Sequence, residues 1–125
     1  MVPAFCSEVN GMNVLVHGNP LLAYRLALAL REDGHTVIRA ASESEMLEMI
    51  KTSTEIDLVA LDEKAGGRKT LHSLRKNGTV SLAVILVLGT TSTSAKVRKT
   101  GRTVFIPLRC FRSDFLNEVR VLKQS

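Results

Sequence analysis

The chain has 125 residues, nearly half of them apolar, and a formal net charge of +5, which describes one domain with enough interior for a real core. No apolar run approaches the ~20 residues that span a bilayer, and the opening MVPAFCSEVNG carries neither a basic leader nor an apolar stretch, so no membrane segment and no signal peptide are expected. Cys6 and Cys110 are isolated, without CxxC or Cys/His spacing; they read as free thiols of a cytoplasmic protein.

Residues 1–12 read as an N-terminal arm, and 13–125 as the folded domain. Asn13-Val14-Leu15-Val16-His17 is a short buried strand, broken by Gly18-Asn19-Pro20. Pro20 is placed to open a helix whose apolar face is Leu22, Leu26, Ala29 and Leu30, and which stops at Gly34. His35 to Arg39 is a second strand. Ser42 with Glu45 forms a capping box for a helix that turns Met46, Leu47 and Ile50 inward. Asp57-Leu58-Val59-Ala60-Leu61 is a third strand, ending on the carboxylate of Asp62. A loop from Glu63 to Gly67 leads to a helix with Leu71 and Leu74 inside, which ends at Asn77-Gly78. Leu82 to Leu88 is the most apolar run and reads as a central strand. The polar stretch Gly89 to Ser94 is expected to cap a short helix at Ser94 to Lys99, ended by Gly101. Val104-Phe105-Ile106 is a fifth strand cut off by Pro107. Ser113 or Asp114 caps a last helix with Phe115, Leu116, Val119 and Leu122 as its inner face.

Strand–helix alternation at this spacing implies a doubly wound α/β domain of three layers, with a five-stranded parallel sheet covered on both faces. In open sheets of this kind ligand chemistry sits at the carboxyl ends of the strands, which is where Asp62 stands.

Charge is unevenly distributed. From Lys64 to Ser113 there is no acid, and eleven of the seventeen basic residues lie there; from Met1 to Glu63 ten acids face four bases. Lys96, Arg98, Lys99, Arg102, Arg109 and Arg112 fall around the expected fourth helix, the fifth strand and the start of the last helix. Such a basic face suits an acidic protein partner, or the acidic half of a second copy in a homodimer. With one Tyr and four Phe there is little surface for stacking bases, and no DNA-binding motif is present.

The stretches VLVHGNPLL, LREDGHTVIRAASESEMLEMI and IDLVALD, in that order and spacing, resemble the receiver domain of bacterial response regulators, over roughly residues 13–123. The resemblance implies the flavodoxin-like strand order 2-1-3-4-5 and a role in two-component signal transduction, commonly through a fused output domain in transcription regulation. In receivers the segment before the third loop commonly reads DLVLLD and ends on the aspartate that accepts a phosphoryl group; Asp62 matches it. The remaining site positions depart from the family. The acid pair that holds Mg²⁺ falls on His17 and Gly18. The hydroxyl residue after the fourth strand falls on Gly89, with Thr90 one residue on. The Lys-Pro pair falls on Leu108 and Arg109. Because a phosphoryl group and a carboxylate are both anions, the transfer needs that metal; a hard ion wants oxygen ligands, and His17 is a poor substitute. The pattern resembles the degenerate receivers, which keep the fold and act by binding, without cofactor, metal or catalysis.

The competing readings are residual phosphorylation of Asp62 and nucleic-acid binding through the basic face. Smaller alternatives are an ion pair locking Asp62 to Arg109 or Lys64, a transition-metal site on His17 and Asp62, and a nucleotide loop at Gly18-Asn19-Pro20. The last has one glycine where the G-x-G-x-x-G fingerprint needs three.

Overall fold

The computed structural model describes residues 11–52, 55–76, 82–89, 96–108 and 111–124, without the side chains of 111–113 and 123–124. The strands are β1 (Asn13–His17), β2 (Thr36–Arg39), β3 (Leu58–Asp62), β4 (Ala83–Leu88), β5 (Arg98–Thr100) and β6 (Thr103–Pro107). The helices are α1 (Pro20–Glu32), α2 (Glu43–Thr52), α3 (Gly67–Lys76) and α4 (Phe111–Gln124), with one 3₁₀ turn at Glu63–Ala65. The sheet order is β2-β1-β3-β4-β6-β5. Its five parallel strands follow the order expected from the sequence, and β5 adds an antiparallel sixth at one edge.

Every residue of β3 and β4 is buried, as in the middle strands of a sheet covered on both faces. Alternation along the strands divides the core in two. Val14, Val16, Leu58, Ala60, Ile85 and Val87 face α1 and α4, meeting Leu26, Leu30, Phe115 and Val119. Leu15, Val59, Leu61, Val84 and Leu86 face α2 and α3, meeting Met46 and Leu74. Met12 packs into the first of these clusters, so the chain is anchored in the core before β1 begins.

The helix boundaries follow local chemistry. Pro20 opens α1, and the Asn19 side chain accepts the Leu21 N–H at 2.9 Å. Ser42 Oγ accepts the Glu45 N–H at 3.1 Å, as a capping box requires, but the Glu45 carboxylate reaches back to the Ala41 N–H. The last helix starts at Phe111, earlier than the expected cap at Ser113 or Asp114. The expected end of α3 at Asn77-Gly78 lies outside the described residues.

One element differs in kind. The sequence suggested a helix at Ser94 to Lys99; Arg98–Thr100 is instead a strand, paired antiparallel to β6 with Thr100 opposite Thr103. Gly101 takes a positive φ of 60° at the first position of the two-residue turn, where such hairpins favour glycine. Only Val97 is apolar among the described residues just before the strand, and it packs on the first core cluster. A single apolar anchor suits an alternating strand better than a helical face.

At the amino ends of the strands, Asp33 ties α1 to α4: its carboxylate accepts from Arg120 at 2.7 and 3.2 Å. His35, buried, accepts the Met12 N–H on Nδ1 at 3.0 Å and turns Nε2 to Asp33 at 3.4 Å. The Arg120 hydrogen bonds, against some opposing burial, hold the Asp33 carboxyl below the ordinary value of 3.8. A depressed folded-state value favours the charged form in the fold. The latch therefore contributes fully above the unfolded value and is lost as pH falls through the folded one. Urea melts across the acid range should show Asp33→Asn flattening the loss of stability below that value; an unchanged acid slope would remove the latch from the account.

Candidate functional site

The carboxyl ends of β1, β3 and β4 converge on Asp62. In register, His17 lies opposite Leu61 and Asp62 opposite Val87. Asp62 is 5% exposed. Its Oδ1 accepts the Lys64 N–H at 3.0 Å, capping the 3₁₀ turn, and its Oδ2 accepts the Asn19 N–H at 3.1 Å, just before α1. Both oxygens of Asp62 are thus engaged by main-chain donors, fastening β3 to the start of α1.

The neighbouring positions are closed by approach of the chain. A Cβ at Gly18 would lie 2.5 Å from Asp62 Cβ and 3.4 Å from its Oδ2. A Cβ at Gly89 would lie 2.5 Å from Lys64 Cγ and 2.6 Å from its Cε, so the aliphatic stem of Lys64 lies across the end of β4. In place of the alternative ion pair of Asp62 with Lys64 there is a backbone bond: Lys64 donates its N–H, and its stem covers Gly89. Glu63 completes the rim. Its Oε1 accepts the Gly89 N–H at 2.8 Å, and its Oε2 accepts from Arg68 Nε. The Arg68 guanidinium, with the Gly89 N–H behind it, holds the Glu63 carboxyl below the usual glutamate range.

The Mg²⁺ that the receiver resemblance implies is poorly served here. Asp62 brings oxygens that each already accept one N–H, Gly18 brings no side-chain ligand, and His17, half-buried at the end of β1, brings nitrogen. Among the described residues no three His, Cys, Asp or Glu side chains gather into a metal site. Thr90 and Arg109 lie outside the described residues. Leu108 is 37% exposed beyond Pro107 and, with Leu21, Leu22, Val87 and Leu88, lines a cavity of about 170 Å³ beside Asp62.

The basic residues are divided by the strand. Arg98 lies opposite Phe105, and its guanidinium sits 5.0 Å over that ring, with Arg68 at 5.9 Å. Lys99 turns to the other face, where its Nζ lies 2.9 Å from Glu118 Oε1 as a charge contact without hydrogen-bond alignment. Lys96 is exposed and Arg102 half-buried. The side chain of Arg112, like all of Arg109, lies outside the described residues. The sequence did not single out Asn19, Glu63 or the main chain of Lys64 as partners at this rim. Only Asn19, an N-cap type just before a helix-opening proline, carried a readable signal.

No family model matches the chain, and no curated protein is similar to it. Solved structures are. A Francisella response-regulator receiver domain matches with a TM-score of 0.75 at 22% identity, over 91% of this chain and 98% of that one. A response regulator receiver protein from Sinorhizobium medicae matches at 0.73 and 15%, over 94% and 98%. The N-terminal domain of a three-domain response regulator/sensory box/GGDEF protein from Carboxydothermus hydrogenoformans matches at 0.70 and 16%, over 90% and 94%. The fold is that of the response-regulator receiver domains.

Proposed function

We propose that this chain is a degenerate receiver: a non-catalytic, phosphorylation-independent interaction module of cytoplasmic signalling or transcriptional control. The observation that carries this is the state of Asp62. A phosphoacceptor needs a carboxylate oxygen presented to an incoming phosphoryl group beside a divalent ion. Here both oxygens serve as acceptors for the Asn19 and Lys64 N–H groups, and the position of the missing acid closes on Asp62 itself. The receptor surface is read as the basic border around β5 and β6, with Lys96, Arg98 and Lys99 as its exposed cations, the last paired with Glu118, and its partner as an acidic protein or output domain. The receiver that matches from Carboxydothermus belongs to a protein with further domains, which supports the same arrangement for this one.

One experiment with two arms tests this. Incubation with Mg²⁺ and acetyl phosphate, followed by intact-mass measurement, should leave the chain unmodified; a phosphoryl adduct that disappears in Asp62→Ala rejects the reading. In the second arm, Lys96→Glu combined with Arg98→Glu should abolish salt-sensitive binding to the acidic partner while the melting temperature holds. Retained binding would reject the basic face.

A further inference from the structure

We infer that the rim cavity is a binding site for a small amphipathic monoanion, a carboxylate on an apolar body of about one aromatic ring. The inference is independent of the basic border around β5. Its first ground is shape and surface. The cavity measures about 170 Å³, and five of its lining residues are Leu21, Leu22, Val87, Leu88 and Leu108. A comparable apolar cavity of about 150 Å³ holds benzene in another protein. Leu21 is 61% exposed, so an apolar guest would cover a side chain that now faces water.

The second ground is charge. Arg25 and Lys64 also line the cavity, and among the described residues neither lies in an ion pair. The lining acid is Asp62, whose oxygens are both taken by N–H donors. Among the described residues the lining therefore carries one more cation than anion. The first turn of α1, which supplies Leu21 and Leu22, holds no acid, so the positive end of the helix adds to the same sign. An anion whose head reaches Arg25 and Lys64, and whose ring lies on the leucines, answers both cations and covers the apolar wall. A cation would leave both side chains unanswered.

Amide NMR titration of the full chain with benzoate, benzyl alcohol and benzylamine separates the possibilities. Benzoate should give saturable shifts centred on Leu21, Leu22, Lys64, Leu88 and Leu108, with a dissociation constant of about a millimolar, as suits a ligand of this size. Benzyl alcohol should bind more weakly, and benzylamine most weakly. Lys64→Met, which keeps the stem over Gly89, and Arg25→Met should each weaken benzoate about three- to fivefold at these exposed positions, with unchanged melting temperatures. Benzylamine binding as tightly as benzoate, equal affinity in both Met variants, or shifts without saturation would each overturn the assignment.

Discussion

Gly18→Asp should cost the fold about 2–3 kcal/mol, as overpacking of a closed site does, and should create no response to Mg²⁺. The substitution restores an acid at a position where active receivers carry one, so a merely emptied site would be repaired by it. This site is not merely empty. The new Cβ would stand 2.5 Å from Asp62 Cβ, a separation that carbon atoms do not tolerate. Relief requires the ends of β1 and β3 to part, and that stretches the Asn19 N–H to Asp62 bond. The second carboxylate then faces the first across the gap, and two like charges at such range oppose each other's ionisation. Urea melts with and without Mg²⁺ give the measurement. Retained stability that rises further with Mg²⁺ would show that the pocket opens to take the ion, and would return the chain to the phosphorylated receivers.

Asp62→Asn should destabilise by about 1 kcal/mol, the range for losing one part-buried hydrogen bond. Here the carboxylate accepts on both oxygens, from Asn19 N–H and Lys64 N–H. An amide has one acceptor oxygen and must turn its NH₂ group toward the other N–H, donor against donor. The 3₁₀ turn or the start of α1 then loses its partner, and amide exchange at residue 19 or 64 should quicken with the fall in melting temperature. A variant as stable as the parent, with both amides equally protected, would mean that the two bonds contribute nothing net and that Asp62 is free for other work.

The layers of the molecule were written plainly in the sequence, and the rim was not. Val14 to Val16, Leu58 to Leu61 and Ala83 to Leu88 are continuous apolar runs; runs of that length bury on both faces whichever neighbours they meet. Pro20, Ser42 and Gly34 mark helix ends by local chemistry alone. The segment before Gly101 misled because a polar stretch with one valine satisfies neither period strongly. Its strand identity depends on β6 lying beside it, a tertiary fact. Basic residues expected to cluster around a fourth helix, the fifth strand and the start of the last helix were consequently sent in part to two sides of a strand, Arg98 over Phe105 and Lys99 toward Glu118. The absence of acids at 17 and 18 was legible; the close approach there was not, since the 2.5 Å separation at Gly18 is a property of two strand ends meeting. Glu63 is similar: its bond to the Gly89 N–H joins residues far apart in the chain.

The two bonds on Asp62 come from peptide nitrogens, not from side-chain groups. Substitutions at 19 and 64 can therefore alter cap, charge or stem length and leave both donors in place. Proline is the one standard residue that deletes such a donor outright. Descendants of this sequence could thus drift at both positions while the carboxylate of residue 62 keeps both main-chain partners, and a comparison of side chains alone would not detect those bonds.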